Sequence, residues 1–345
     1  MTSSMQAIKN RLSQPNMSPF AFDPDQAQTA IVNLDHLRAY RIKGEDATSF
    51  LQGQFTNDVN SVTEEQAQLS AYCTPKGRML ATFYLCRWKN DYILICPTPI
   101  AESFIARLSM YIMRAKVIIE EATDELILGV ISPDHHWLSQ CSSISPLAAT
   151  TDSPEQNAYQ AIGTDQIMCF RVPGPTPRYV ILCQSCDCGE IFDSLQQINP
   201  IYPGAVWAQM DILSGTPWIG ANTQELFVPQ MANMELINGV SFSKGCYPGQ
   251  EVVARLHYLG HANRRMFQFS CVSEHSLAAG DDIFCDQSQQ PVGKILNVEK
   301  TDEQQWVGLA VVRIDNIQND NLYCHDDQIT ISNLPYHVPL EANNK

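Results

Sequence analysis

An α+β body followed by a separate all-β module is the fold class this sequence predicts, on three observations. Apolar runs of strand length alternate with amphipathic helical stretches as far as about residue 260. Beyond residue 262 only short β-type runs separated by turns remain. No stretch approaches the roughly 18 uninterrupted apolar residues that a membrane span needs, which excludes an integral helical membrane protein. At 345 residues the chain has room for two or three packed units of roughly 100–200 residues each.

The elements follow in order. Met1 to Phe22 is polar, with Lys9 and Arg11 but no apolar region after them, and reads as a mobile tail extending to about residue 27. The absence of a signal-peptide pattern predicts a cytoplasmic protein. Ala30 to Ile42 alternates loosely and ends at Gly44, as one or two short strands do. Glu45 to Gly53 carries acids in its first turn and apolar residues at 47, 50 and 51, the signature of a short helix. Leu69–Cys73, the turn Thr74–Arg78 and the run Met79–Trp88 predict a hairpin, because Pro75 presets the first turn position and Gly77 takes a late one. A strand at Tyr92–Cys96 follows. Thr98-Pro99 opens a helix with a stripe of Ile100, Phe104, Leu108, Tyr111 and Ile112.

Further strands are predicted at Val117–Ile119, Leu126–Ile131, Ile167–Val172 and Tyr179–Cys183, and helices at Glu190–Ile198 and Val206–Leu213, with a surface loop over 139–157. Met266–Cys271, Ile283–Cys285, Pro291–Val298, Trp306–Ile314 and Gln328–Ile331 then suggest a small barrel or sandwich over 262–340, without a helix.

Thirty-seven acids against 22 Lys and Arg set the formal charge at −15. That balance excludes a broad phosphate-binding surface, since non-specific nucleic-acid affinity comes from Lys and Arg. The 12 cysteines are scattered, mostly inside apolar runs, and read as reduced small hydrophobes. The informative segment is Lys244-Gly245-Cys246-Tyr247-Pro248-Gly249-Gln250-Glu251, followed by apolar positions 252, 253, 256 and 259. Pro248 suits a first helical position, Glu251 the first turn and Gly260 the stop, predicting a helix over about 248–259. Cys246 then precedes a helix N-terminus, where unpaired N–H groups, with Lys244 and Arg255 nearby, favour the reactive thiolate. The same spacing also suits an ordinary buried cysteine in a Gly-flanked turn. Residues 244–265 hold four basic residues (244, 255, 264 and 265) and one acid, a local +3 that points to a bound anion.

Other signals compete. Cys183, Cys186 and Cys188 have C-x-x-C-x-C spacing suited to a metal, but no second CxxC or His pair supplies a fourth ligand, so a loop with incidental cysteines is the plainer reading. His135 and His136 read as a surface pair, and His257 with His261 as part of the anion-attracting face. Trp207 and Trp218 read as core packing or ligand contacts, and Asp58 as a turn-forming acid or a ligand contact.

The segment 244–251 resembles the K-G-C-Y-x-G-Q-E signature of the YgfZ family, folate-binding tRNA-modifying proteins related to the glycine-cleavage aminomethyltransferase (T-protein) and to mitochondrial iron–sulfur assembly factors. The resemblance extends to Leu51–Val59 (LQGQFTNDV), to Pro75–Arg78, to Phe227-Val228-Pro229-Gln230 with Asn233, and to Arg255–Arg265. It implies a T-protein-like, folate-binding body over 28–261, with a ferredoxin-like subdomain at roughly 115–205, and a C-terminal β-barrel over 262–340. It implies tetrahydrofolate as cofactor and, as partners, iron–sulfur client enzymes that thiolate or methylthiolate tRNA. It also implies Cys246 as the essential thiol, with Lys244, Tyr247, Gln250, Glu251 and Arg255 in support. Of the family's two folate-contacting tryptophans, one falls on Trp207 and the other on Leu37; Asp211, Phe227 and Gln230 are weaker folate candidates. The T-protein's pterin-anchoring glutamate falls on Leu213, which counts against the alternative activity, a tetrahydrofolate-dependent aminomethyl-type transfer.

Overall fold

The computed structural model describes residues 10–133, 158–184, 200–260, 262–317 and 321–340. In chain order come β1 (Ala30–Asn33), β2 (Leu37–Lys43), α1 (Ala47–Gln52), β3 (Gln68–Cys73), β4 (Met79–Trp88), β5 (Asp91–Pro97), α2 (Thr98–Ser109), β6 (Ile118–Glu121) and β7 (Glu125–Ile131). After β8 (Ala161–Gly163), β9 (Ile167–Val172), β10 (Arg178–Gln184) and β11 (Ile201–Tyr202) come α3 (Gly204–Ser214) and α4 (Gln250–Tyr258). The C-terminal elements are β12 (Arg264–Val272), β13 (Asp282–Cys285), β14 (Ser288–Lys300), β15 (Gln305–Arg313), α5 (Ile314–Ile317), β16 (Leu322–Cys324) and β17 (Asp327–Ser332).

Two compact units divide the chain. The first takes Met1–Phe50, Asn60–Gln68 and Tyr84–Met210, and the second takes Leu51–Val59, Leu69–Phe83 and Asp211–Lys345. In the first unit a six-stranded sheet has the order β11-β1-β7-β10-β9-β8. It is antiparallel except where β1 runs parallel to β11. Strand β2 pairs with both β5 and β6, and β5 pairs with the Tyr84–Trp88 end of β4. Arg41 of β2 makes an ion pair with Glu125 of β7, which ties these strands to the six-stranded sheet. Strand β9 is buried at every position, so it reads as a largely apolar run, broken by Arg171, and not as an alternating one.

Helix α2 buries Ile100, Ala101, Phe104 and Leu108, the stripe expected from its period. It stops at Ser109, however, and Tyr111 is exposed. The predicted helix at Glu190–Ile198, the loop over 139–157 and the His135-His136 pair lie outside the described residues.

In the second unit, β3 and the start of β4 form the predicted hairpin around Thr74–Arg78. The C-terminal strands close a barrel in the order β12-β15-β14-β13-β16-β17. Closure removes the free edge that an open sheet would present. Two elements here depart from the sequence expectation. Strand β16 has three residues, too few for a periodicity to register, yet it pairs with both β13 and β17 and so completes the ring. A single helical turn, α5, also occurs where only strands were expected.

The barrel core holds Phe267, Phe269, Ile283, Ile295, Val312 and Ile329 together with Cys271, Cys285 and Cys324. Phe269 has no exposed surface. Phe269→Ala is expected to lower stability by about 3–5 kcal/mol through lost burial and the cavity left behind, read as a reduced urea midpoint.

Candidate functional site

The site is built on a buried cation. Lys244 is almost fully covered, and its ammonium donates to three main-chain carbonyls, Gln52 O at 2.7 Å, Phe55 O at 2.6 Å and Asn57 O at 2.9 Å. An ammonium has three donors, and all three are taken. The Tyr247 ring lies 5.3 Å from the same Nζ, close enough for a cation–π contact. Burial lowers the Lys244 ammonium to about 8, with the Asp58 carboxylate opposing the shift. Lys244 therefore grips a loop, and it is not placed to attract an anion.

The gripped loop is shaped by the polar residues of the LQGQFTNDV segment. Gln52 donates through Nε2 to Asp58 Oδ1 (2.9 Å), and its Oε1 accepts from Val59 N (2.8 Å). Thr56 donates to Gly239 O (2.8 Å) and accepts from Ala71 N (2.9 Å). Asn57 Nδ2 donates to Leu69 O and Asn238 O at 2.9 and 2.7 Å. Each of these groups turns a main-chain amide or carbonyl that would otherwise be buried unpaired into a defined loop path. Asp58 is thus a turn-forming acid in this loop.

A second contact sets where the cysteine stands. Gly249 has φ +83°, and a Cβ there would fall 2.5 Å from Thr74 O and 2.6 Å from Gly77 Cα. The β3–β4 turn, with Gly77 at φ +71°, meets this strand of chain backbone against backbone. Gly249 caps α4, so the helix starts at Gln250. Pro248 lies outside it, because the left-handed residue intervenes before helical geometry begins. Gly245 and Cys246 are exposed, and a Cβ on Gly245 would meet nothing within 4 Å. Among the nine described cysteines, Cys246 is the exposed one and the other eight are buried. Burial alone pushes the Cys96 thiol up to about 12, with nearby Arg38 opposing, so such thiols are inert small hydrophobes.

Tyr247 is buried, and its phenol is pushed up by burial and then by the neighbouring Cys73. Gln250 is half-buried, while Glu251 and Arg255 lie on the exposed face of α4. The expected stripe of that helix is narrower than its sequence suggests. Val253 is buried, Val252 and Leu256 are half-buried, and Leu259 is 85% exposed. His257 stacks on Phe242 with ring centroids 3.7 Å apart; His261 lies outside the described residues.

Gln230 is buried and acts as a helix support, donating to Val253 O at 2.6 Å. Arg265 donates to Gln230 O (2.8 Å) and forms an ion pair with Glu235, with both side chains about nine-tenths covered. Two of the four basic residues in the +3 window, Lys244 and Arg265, thus have internal partners. Half of the basic residues in this window are structural.

The folate candidates divide between the two units. In the first, Leu37 is buried in β2 opposite Pro97. Trp207 has no exposed surface. The Arg178 guanidinium lies 4.6 Å from its ring centroid, Gly129 packs so closely that a Cβ would sit 2.4 Å from Cζ3, and its Nε1 is buried without a hydrogen-bond partner among the described residues. In the second, Phe227 is buried, and the buried Asp211 accepts from Trp218 Nε1 at 2.8 Å. Cys183 is buried and faces Leu126 O, while Cys186 and Cys188 lie outside the described residues.

An α+β body with a closed C-terminal barrel places the chain in the aminomethyltransferase fold class. The glycine cleavage system aminomethyltransferase T from Bartonella henselae superposes with a TM-score of 0.69 at 12% identity, covering 90% of this chain and 87% of that one. The family model for the GCVT N-terminal domain matches residues 26–136. The tRNA-modifying protein YgfZ of Colwellia psychrerythraea is 32% identical over 256 residues, 74% of this chain and 76% of that protein. Its counterpart in Yersinia pestis (strain Pestoides F) is 27% identical over 329 residues, 92% and 97% of the two chains. The chain belongs to the YgfZ family of tRNA-modifying proteins.

Sequence reasoning missed the lysine clamp, the Gly77–Gly249 contact, the Arg265–Glu235 pair and the Trp218–Asp211 bond. The usable signal was the run of polar residues in LQGQFTNDV, each able to bond main chain.

Lys244→Met is expected to leave three loop carbonyls unpaired and to cost about 3 kcal/mol, measured by urea unfolding. The folded-state value of about 8 lies below the ordinary 10.5, so between them the unfolded chain binds more protons. The Lys244 contribution to stability therefore rises with pH across that window, and the wild-type stability rises relative to Lys244→Met between pH 8 and 10.

Proposed function

We propose that this chain is a folate-binding accessory protein that supports tRNA modification by sustaining the iron–sulfur enzymes that carry it out, with Cys246 as its essential thiol. The observation that carries this reading is the placement of Cys246, exposed beside a lysine clamp while the other described thiols are buried. A thiol held on a fixed base and open to solvent can meet a cluster or a sulfur acceptor on another protein; a buried one cannot. The tRNA link is supported by the relatives, which are tRNA-modifying proteins.

The fit to folate rests on Trp207. Its ring carries Arg178 on it and Gly129 close against it, so the ring is not open to stack on a pterin. Its indole N–H, buried and without a partner among the described residues, is the group that would hold a folate carbonyl or ring nitrogen. When bound, tetrahydrofolate supplies a one-carbon carrier. The alternative of aminomethyl transfer lacks support, since residue 213 is leucine and the nearest acid, Asp211, bonds Trp218.

In cells lacking the endogenous protein, wild type and a Cys96→Ala control are expected to restore thiolated and methylthiolated tRNA nucleosides, measured by mass spectrometry, whereas Cys246→Ala is not. Full restoration by Cys246→Ala would sink the reading. In calorimetric titrations with tetrahydrofolate, Trp207→Phe keeps an aromatic ring but loses the donor, and is expected to bind about tenfold more weakly. No saturable heat with wild type would remove folate from the proposal, and equal affinity in the variant would remove Trp207.

A further inference from the structure

The barrel carries a side-chain cluster that neither the clamp nor the exposed thiol uses. Asp281, just before β13, and Cys324 and His325, at the β16–β17 turn, bring one carboxylate oxygen, one sulfur and one imidazole nitrogen within 4.8 Å of one another. Strand pairing holds them there. The Asp281 carbonyl accepts from Ile295 N of β14 at 2.9 Å, its Oδ2 accepts from Ala278 N at 2.8 Å, and β13 pairs with β16. His325 Nε2 and Asp281 Oδ2 stand 3.1 Å apart. Cys324 belongs to the barrel core, with its sulfur at the inner side of the cluster and the other two groups toward solvent.

A second histidine stands beside this trio. The His275 ring lies 6.1 Å from that of His325, and its Nδ1 bonds Asp327 Oδ2 at 2.9 Å. Asp327 also accepts from the Ser273 hydroxyl, at 2.5 Å. A carboxylate on Nδ1 keeps the proton there and leaves Nε2 with its lone pair, the arrangement that orients metal-binding histidines.

We propose that Asp281, Cys324 and His325 form a zinc-class metal site, with His275 or water as the fourth ligand, that clips the β16–β17 turn to the start of β13. The donor set selects the ion. A thiolate and an imidazole beside one carboxylate suit a borderline ion such as Zn2+ and are wrong for Mg2+ or Ca2+, which take oxygen. Tetrahedral zinc places its ligand atoms roughly 3.3–3.8 Å apart. The Asp281–His325 spacing is close to that already, and a shift of about 1 Å closes the cluster on the sulfur. On binding, the His325 proton moves from Nε2 to Nδ1, the Cys324 thiol releases one proton to solvent, and the metal takes both lone pairs. The site is independent of the folate reading.

Cobalt(II) titration of the full chain, stripped with chelator and dialysed, tests it. One equivalent is expected to produce a near-ultraviolet sulfur-to-cobalt band and visible bands of a tetrahedral ion, both displaced by zinc. His325→Ala and Asp281→Asn, which change solvent-facing groups and leave the barrel core intact, are expected to weaken binding by more than about 100-fold. Cys246→Ser and the triple change of Cys183, Cys186 and Cys188 to Ser are expected to leave it unaltered. Absence of the bands in wild type, their survival in His325→Ala, or their loss in either cysteine control would overturn the proposal.

Discussion

The second unit depends on one buried ammonium. Lys244 is the base from which Gly245 and Cys246 rise into solvent, and its three hydrogen bonds close the loop from Gln52 to Asn57. A lysine suits this task better than an arginine. Three converging carbonyls match a compact tetrahedral donor, whereas a planar guanidinium would aim its donors in one plane. Removing the charge from water is costly, and the downward shift of the ammonium records that cost. The three carbonyls and the Tyr247 ring offset it.

The clamp would place Cys246 poorly if the following chain could swing. The contact of Gly249 with the β3–β4 turn prevents this, because no side chain fits between them. Gln230 then holds the first half of α4 through Val253 O, and Arg265 holds Gln230 through its carbonyl. A chain of short-range polar contacts thus runs from the loop through the cysteine segment to β12. The residues that make it are the ones that the signature segments share, so the motif encodes a rigid mount as well as a thiol.

The relation to the aminomethyltransferase fold has a similar logic. Fold is kept by burial patterns, which tolerate many substitutions of like volume and polarity. A ligand site is kept by single groups. Under the reading proposed above, Leu213 and Leu37 are such changes: a methyl-bearing side chain keeps the packing and removes a carboxylate or a ring. Asp211 is taken up by its bond to Trp218, and the face of Trp207 is covered by Arg178.

Local chemistry was therefore legible where a residue's role is decided by its neighbours in sequence. The hairpin around Pro75 and Gly77, the apolar stripe of α2 and the mainly β character after residue 262 could be read directly, while the 244–251 segment singled out Cys246 but left its burial open. The three-residue β16 and the internal use of Lys244 and Arg265 could not, since each depends on groups tens to nearly two hundred residues away in sequence. A charge count treats four basic residues as a field. Only the tertiary structure decides that one grips carbonyls and another pairs with Glu235, because buried donors bond whatever acceptors the fold brings within 3 Å.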